Sequence, residues 1–201
     1  MAKRQFLKDW PTELAFTKGG VKYYRDEFGT LHSKSIDQSN MVGGEKHFER
    51  NDRELNEIRL QRIKEITGKA NPYVLDYGCG WGQLLYFLRE KGIKSNGYDP
   101  YNPEFATMYN IKYDCITLIE VVEHLSYPFP ELVGVHLLLN EGGKVMIETS
   151  FTDWLTQDDE YINPEVGHCT IFSHAGLDCF MKKAGFKIAS HINQNVRIYE
   201  K

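Results

Sequence analysis

Apolar and polar positions change their spacing several times between residue 52 and the end of the chain. From Asp52 to Gly68, apolar residues recur at near-helical spacing within a charged background, which predicts a helix that ends at the glycine. Beyond it, short apolar runs alternate with helical ones. They predict strands at 73–77, 93–98, 113–119 and 144–148, and helices at 83–91, 131–139 and 173–184. Strands that alternate with helices predict a mostly parallel sheet with helices on both faces.

The two ends of the chain follow other patterns. Residues 1–50 contain many aromatic residues and two Gly-Gly pairs without a sustained period, which predicts an irregular cap with short helices or strands. At the other end, apolar runs at 186–192 and 195–199 flank a polar turn and predict an antiparallel C-terminal hairpin at the sheet edge. We therefore expect one compact unit, in which the cap precedes an α/β domain over residues 51–201.

Composition narrows the class of protein. A chain of 201 residues with 41% hydrophobic residues can bury a core and is short for two ordinary domains. The net charge is −4, and acidic and basic residues are mixed along the chain. This charge pattern disfavours a nucleic acid partner. No apolar run approaches the roughly 18 residues of a membrane helix, and the first residues lack a signal-peptide pattern, so we expect a cytoplasmic protein. The four cysteines are widely spaced, which indicates free thiols.

A glycine-rich loop follows the first predicted strand and opens the next predicted helix. It has the sequence Asp76-Tyr77-Gly78-Cys79-Gly80-Trp81-Gly82. A dinucleotide-binding loop needs its third glycine one position later, where this chain has Gln83, so an NAD-dependent oxidoreductase is disfavoured. Asp99 ends the second predicted strand, where a carboxylate can accept hydrogen bonds from both hydroxyls of a ribose. Loop and acid together predict a nucleoside across the carboxyl ends of two strands.

Three segments in this order resemble the motifs of class I S-adenosylmethionine-dependent methyltransferases. They are residues 74–82, the Gly-Tyr-Asp-Pro segment at 97–100, and Ile-Glu-Val-Val-Glu-His-Leu at 119–125. The match covers roughly residues 55 to 190. The resemblance implies a Rossmann-like, doubly wound α/β fold and S-adenosylmethionine as cofactor. It also implies that Asp76, Gly78, Gly80 and Gly82 contact the methionine and ribose part and that Asp99 holds the ribose hydroxyls.

Two further features bear on the cofactor. Asn56-Glu57-Ile58-Arg59-Leu60 resembles a segment of ubiquinone-pathway O-methyltransferases, which implies that Arg59 meets the cofactor carboxylate; a solvated helix residue is the alternative. The interval between Asp99 and Asp114 is shorter than in class I methyltransferases. We therefore expect this chain to lack most of the segment that holds the third strand and the acidic residue that contacts adenine. Phe105, Met108 and Tyr109 are adenine candidates only because they are near and apolar.

A second group of polar residues follows the fourth predicted strand. If a helix starts at Glu120, then Glu123 and His124 face the same point. One interpretation is a hydrogen-bonded loop with His124 as an orienting group. The other adds His168, because the segment around it resembles the downstream metal ligand of small-RNA 2′-O-methyltransferases. That resemblance implies that Glu120, Glu123, His124 and His168 bind Mg²⁺ or Mn²⁺ with positions open for substrate oxygens.

The sequence therefore predicts O-methylation of a small hydroxylated metabolite or sugar unit. The candidate catalytic residues are His124 and His168, as base or metal ligand, and Glu120. We expect residues 1–50 and 151–166 to form a lid that sets specificity. An RNA 2′-O-methyltransferase and a non-catalytic partner with the same fold are the alternatives. Methylation of base or amide nitrogen is disfavoured, because residues 120–123 differ from the Asn-Pro-Pro-Tyr-like segment of such enzymes.

Overall fold

The computed structural model describes residues 11, 13–33 and 52–201. Near the start of this part, strands β1 (Glu13–Lys18), β2 (Val21–Arg25) and β3 (Leu31–His32) form an antiparallel meander. The predicted irregular cap is therefore a regular sheet over 13–33, because Tyr23 and Leu31 are apolar enough to bury one of its faces. The rest of the predicted cap, apart from residue 11, lies outside the described residues.

The main sheet has six strands. They are β4 (Val74–Tyr77), β5 (Ser95–Tyr98), β6 (Tyr113–Ile119), β7 (Leu139–Glu148), β9 (Lys187–His191) and β10 (Val196–Glu200). Their order in space is β5-β4-β6-β7-β10-β9. The pairs β4–β5, β4–β6 and β6–β7 are parallel, whereas β10 is antiparallel to both β7 and β9. The predicted C-terminal hairpin is confirmed at the edge of the sheet.

Four α-helices cover the two faces of this sheet. Helices α1 (Arg53–Thr67) and α2 (Gln83–Glu90) pack on one face, and α3 (Pro128–Leu138) and α4 (His174–Lys183) pack on the other. Sequence signals fix their ends: α1 stops at Gly68, whose φ of 64° suits glycine, and Ser173 caps α4 through a hydrogen bond from the Gly176 N–H. The predicted α/β fold with helices on both faces is confirmed.

The connections bring the segment 151–166 beside the carboxyl ends of the parallel strands. Strand β8 (Thr170–Ile171) pairs with β3 and completes the four-stranded small sheet. The segment 151–166 runs beneath this sheet, where Ile162 packs with Tyr23 and Leu31. Between β5 and β6, residues 101–112 contain neither helix nor strand, in agreement with the trimmed third strand. Loops that meet at the carboxyl edge of a parallel sheet are where such folds bind ligands.

Candidate functional site

A cavity of about 1150 Å³ lies at the carboxyl ends of β4, β5 and β6. Ligand pockets commonly measure about 300–1,000 Å³, so this space is large enough for two molecules. The glycine loop and Asp99 line it, and so do Glu120, His124 and His168. The structure therefore brings both groups of sequence-predicted residues to one cavity.

The three glycines of the loop have different physical roles. All have positive φ, of 77° at Gly78, 54° at Gly80 and 80° at Gly82. A Cβ at Gly78 would lie 2.4 Å from Val121 Cγ2, and one at Gly82 would lie 2.9 Å from the Tyr86 ring, so these two allow close packing behind the loop. A Cβ at Gly80 would meet no atom within 4 Å. Gly80 is thus the glycine that keeps backbone open towards a ligand.

Asp99 holds the loop and also faces the cavity. Its Oδ2 accepts the Gly80 N–H at 2.9 Å and its Oδ1 accepts the Tyr101 N–H at 2.8 Å. A carboxylate offers about four lone-pair sites, so two remain for further donors. The Asn102 amide adds a second tie to the loop by donating to the Gly80 carbonyl at 2.8 Å. Asp99 therefore keeps the capacity to accept two ribose hydroxyls.

Asp76 and Arg59 line the cavity on the side of α1. Asp76 is 4% exposed and accepts the Thr117 hydroxyl at 2.8 Å; burial raises the pKa of its carboxyl to about 6. Arg59 donates to both carboxylate oxygens of Glu148, at 2.6 and 3.3 Å. It also donates to Asn56 Oδ1. Arg59 is therefore a held guanidinium on the cavity wall, and the solvated alternative is wrong.

Glu120 has strained backbone. Among the non-glycine residues that the structure describes, Glu120 alone has a positive φ, of 52°. Its N–H donates to the Glu148 carbonyl at 2.8 Å. No α-helix starts here: a single 3₁₀ turn spans Val122–His124. The predicted helical geometry of this group is wrong, because the left-handed residue turns the chain before the helix. Surrounding protein and the Glu123 carboxyl raise the pKa of Glu120.

Glu123 is the buried carboxylate of the group. It is fully buried, accepts the Tyr161 hydroxyl at 2.7 Å and accepts the Thr149 hydroxyl at 3.0 Å. One ligand atom each from Glu123, His124 and His168 lie within 4.8 Å of one another, a spacing that one metal ion could bridge. Glu120 does not belong to this set. The structure thus groups three of the four proposed ligands.

The rings of His124 and His168 lie next to each other, and each forms a hydrogen bond to a backbone carbonyl through its own Nδ1. Their ring centroids are 4.7 Å apart. His168 Nδ1 lies 2.5 Å from the Tyr161 carbonyl oxygen and His124 Nδ1 lies 3.3 Å from that of Gly167. Because a carbonyl oxygen only accepts, each Nδ1 carries a proton, so Nε2 is the ring atom that can offer a lone pair. Burial lowers the pKa of His124, which favours its neutral form.

Sequence reasoning missed several residues of the site. Tyr161, Thr149 and Glu148 support the second group but are separated from it in sequence. Glu148 could have been found, because it ends the predicted strand next to the one that ends before Glu120. The adenine candidates Phe105, Met108 and Tyr109 do not line the cavity. Its lining includes five other tyrosines: Tyr77, Tyr98, Tyr101, Tyr127 and Tyr161.

The four cysteines form no disulfide bond. All are free thiols, as predicted. Cys79 packs behind the loop, where a Cβ at Gly97 would come within 2.7 Å of its sulfur. Burial raises the pKa of its thiol, so it remains protonated and a poor nucleophile.

Comparison with known proteins agrees with this geometry. A family model described as "Methyltransferase domain" matches residues 47–191. The tRNA U34 carboxymethyltransferase of Campylobacter fetus is 29% identical over 129 residues, which are 52% of this chain and 45% of that protein. The ubiquinone biosynthesis O-methyltransferase of Nitrosococcus oceani is 28% identical over 120 residues, 48% of this chain and 51% of that protein. The chain spans about half the length of these curated relatives.

Solved structures agree on the fold. The 1,6-didemethyltoxoflavin-N1-methyltransferase of Burkholderia thailandensis, solved with S-adenosylhomocysteine, superposes with a TM-score of 0.61 at 12% identity over 94% of this chain and 99% of that one. A SAM-dependent methyltransferase from Archaeoglobus fulgidus gives 0.56 at 20% identity, over 74% of this chain and 94% of that one. Within the described residues, no helix is long and apolar enough to cross a membrane. The chain belongs to the class I S-adenosylmethionine-dependent methyltransferase family.

Proposed function

We propose that this chain transfers a methyl group from S-adenosylmethionine to a hydroxyl oxygen of a small metabolite or sugar unit. One observation carries the proposal: a single cavity is lined by the glycine loop and Asp99 and also by His124, His168 and Glu120. Methyl transfer is an in-line displacement, so the enzyme must hold donor and acceptor next to each other. The cavity has room for both.

The residues of the loop region fit the cofactor. Gly80 leaves backbone open, and the Asp99 carboxylate retains two acceptor sites for the ribose hydroxyls. Asp76 supplies negative charge for the cofactor ammonium, and the remaining N–H groups of Arg59 suit its carboxylate. When bound, S-adenosylmethionine supplies a methyl group on a positively charged sulfur, which the acceptor oxygen displaces. The O–CH₃ bond forms as the S–CH₃ bond breaks.

Removal of the hydroxyl proton falls to a histidine. His168 is held by the Tyr161 carbonyl and His124 by the Gly167 carbonyl, both with Nε2 as the basic atom. A neutral imidazole near pH 7 is an effective general base. We propose His168 Nε2 or His124 Nε2 as the base, and segment 151–166, which adds Glu160 and Glu165 to the lining, as the lid that selects the acceptor.

A divalent cation held by the two histidines is the alternative to a histidine base, because an Nε2 that binds a metal ion cannot also take up the proton. Metal-bound histidines usually donate their other ring N–H to a carbonyl or carboxylate, which is the arrangement of His124 and His168. Together with Glu123 they would give Mg²⁺ or Mn²⁺ three ligands and leave positions for acceptor oxygens; Glu120 lies outside this set. The competing account has no metal and histidines that act as bases alone.

Elemental analysis and chelation separate these accounts. Protein purified without chelator should contain one Mg or Mn per chain, and EDTA should abolish methyl transfer until Mg²⁺ or Mn²⁺ is restored. Full activity in EDTA with no bound ion would remove the metal and leave the histidines as bases.

The acceptor is tested with S-adenosylmethionine labelled in its methyl group. Panels of vicinal diols, sugar nucleotides and primary amines should give labelled products only from hydroxyl compounds, and His168→Ala should suppress that transfer. His191→Ala, in β9 and outside the cavity lining, is the matched control and should keep it. Label on nitrogen would contradict O-methylation, and S-adenosylhomocysteine binding without any transfer would favour a non-catalytic partner.

RNA 2′-O-methylation is the alternative that the same three ligands would serve. Charge weighs against it. Among the described residues that line the cavity, Arg59 is the one lysine or arginine. Seven are acidic: Asp52, Asp76, Asp99, Glu120, Glu131, Glu160 and Glu165. Such a surface repels a phosphate backbone. Filter binding of RNA at low salt tests the point, and retention would reinstate the alternative.

A further inference from the structure

The antiparallel meander of β1, β2 and β3 does not line the cavity. None of its described residues, 13–33, is among the lining residues, and the meander precedes residues 47–191, which match the family model. It nevertheless packs on segment 151–166 and pairs with β8, which follows His168. Any effect of the meander on the reaction must therefore act through residues that do line the cavity.

His168 is held at two points, one of them in the meander. Its carbonyl oxygen accepts the Tyr23 hydroxyl of β2 at 3.2 Å, and its ring Nδ1 lies 2.5 Å from the Tyr161 carbonyl oxygen. Burial raises the pKa of the Tyr23 hydroxyl to about 12, so this group keeps its proton and acts as a donor. Tyr23 thus holds the backbone of His168, while Tyr161 holds its ring.

The meander also holds the turn that carries Tyr161. The Lys18 ammonium, at the end of β1, donates to the Asp159 carbonyl at 2.6 Å. Asp159 Oδ1 accepts the Tyr161 N–H at 3.1 Å. Tyr161 in turn donates its hydroxyl to Glu123 and accepts the His168 Nδ1–H on its carbonyl. A continuous set of hydrogen bonds therefore connects β1 with the polar residues of the site.

The same two regions are also in close apolar contact. Tyr23 is 0% exposed and shares a buried cluster with Ile162, the residue that follows Tyr161. A Cβ at Gly19 would lie 3.1 Å from Pro164 Cγ, so the β1–β2 turn lies against segment 151–166. Because packed interiors compress little, a shift at this contact would move the neighbouring turn. A shift of about 1 Å at a reacting group can lower a rate about a hundredfold.

We infer that Tyr23 is a positioning residue for methyl transfer, which acts by fixing the backbone of His168. Lys18 supports the same arrangement more weakly, through Asp159 and Tyr161. This inference rests on the proposed function, because it takes His168 as the group that deprotonates the acceptor or binds a metal ion. It goes beyond that function by giving the meander a part in a reaction whose cavity its described residues do not line.

Nuclear magnetic resonance of the histidine rings tests the inference on Tyr23→Phe without an acceptor. This variant keeps the buried ring and removes the hydroxyl. In the unaltered protein with S-adenosylhomocysteine, a long-range ¹H–¹⁵N spectrum should show His168 with its proton on Nδ1, the form that the Tyr161 carbonyl requires. In Tyr23→Phe we expect that signal to shift as the bond loosens, while the signal of His191, in β9, stays unchanged.

Activity and cofactor affinity give the second readout. The probe is S-adenosylmethionine with a labelled methyl group, together with the vicinal diol that the unaltered protein methylates fastest. Tyr23→Phe should lower kcat about tenfold and leave the affinity for S-adenosylhomocysteine within about twofold. Lys18→Met, a change nearer the surface, should lower kcat by a smaller factor. It decides the question if Tyr23→Phe does not fold.

Thr152→Val is the matched control. The Thr152 hydroxyl donates to the Gly29 carbonyl at 3.0 Å, so its loss also breaks one hydroxyl–carbonyl bond between the meander and segment 151–166, without involving His168. Thr152 does not line the cavity. This variant should keep kcat, cofactor affinity and the His168 signal.

Two results would overturn the inference while the proposed function stands. One is a Tyr23→Phe variant with the kcat and His168 signal of Thr152→Val, beside an inactive His168→Ala. The other is a loss of cofactor affinity in Tyr23→Phe as large as its loss of kcat, which would make Tyr23 a support of the whole fold. If His168→Ala transfers methyl groups normally, the role of His168 in the proposed function fails, and the inference fails with it.

Discussion

The glycine loop and the group formed by Glu123, His124 and His168 are held in place in different ways. The loop at 76–82 is shaped by backbone, with Gly78 and Gly82 packed tightly and Gly80 left open. The histidine group is held by side-chain contacts from separate segments: Glu123 is buried and accepts hydrogen bonds from Tyr161 and Thr149. Cofactor affinity should therefore depend on loop geometry, and acceptor chemistry on the polar network. Variants that affect one without the other can test this separation.

The largest effect on cofactor binding is expected from Gly80→Val. A Cβ at this position meets nothing within 4 Å, so the domain should fold, but the side chain would project from the loop into the ligand space. We expect S-adenosylhomocysteine binding to be abolished in calorimetry, with an unchanged circular dichroism spectrum. The positive φ adds a stability cost of roughly 1–2 kcal/mol.

Gly142→Val controls for that cost. Gly142 also has a positive φ, of 73°, and open space around its Cβ, yet it does not line the cavity. It should lose similar stability and keep full cofactor affinity. Gly78→Val, by contrast, should destabilise the fold because of its clash with Val121. Normal cofactor binding by Gly80→Val would show that the loop is only a structural turn.

An intermediate effect is expected from Asp76→Asn. Burial raises the pKa of Asp76 from 3.8 to about 6, so ionisation of this carboxyl costs the folded state. The variant should be more stable than the original protein by up to about 3 kcal/mol above pH 6, with a difference that shrinks to nothing below the ordinary pKa. Its affinity for S-adenosylhomocysteine should fall about tenfold, because the ammonium loses its counter-charge.

Urea unfolding at pH 3.5 and pH 8 measures the stability difference, and calorimetry measures the affinity. A variant that is less stable at pH 8 would mean that the Asp76 carboxylate supports the fold more than it supports the ligand.

The smallest effect on cofactor binding is expected from Tyr161→Phe. It removes a hydroxyl that donates to Glu123 at 2.7 Å and should cost about 1.5–3 kcal/mol of stability. Tyr199→Phe is a close match, because its hydroxyl donates to Asp178 at 2.7 Å away from the cavity. Both variants should bind S-adenosylhomocysteine within about twofold of the original protein. Only Tyr161→Phe should reduce methyl transfer; a large loss of cofactor affinity in it would show that the two regions are not separable.

Local patterns predicted much of this fold. The spacing of apolar residues predicted all four helices, α1 to α4, and the parallel strands, because a helix and a strand each bury residues at their own spacing. The small sheet was not predicted, since β3 and β8 are two residues long and are separated by the 137 residues from 33 to 169. Pairing over such distances leaves no local period to recognise.

The residues of the site also differ in whether local sequence could predict them. Gly80 and Asp99 could be predicted because strand, loop and acid follow one another in sequence. The left-handed turn at Glu120 could not, because nothing in its side chain favours a positive φ, and it separates Glu120 from the ligand set. The partner of Arg59 could not be predicted either. Glu148 is 89 residues away in sequence and contacts Arg59 only because α1 packs on β7.

Binding of S-adenosylhomocysteine to the unaltered protein and to Asp99→Ala tests the central claim most directly. The unaltered protein should bind with micromolar affinity, and Asp99→Ala should lose about 2–4 kcal/mol as two charged hydrogen bonds to the ribose disappear. Asn102→Ala, which loosens the loop at Gly80 without touching the ribose, should lose much less. Equal affinities for all three proteins, or no binding by the unaltered one, would contradict the placement of the cofactor at Asp99.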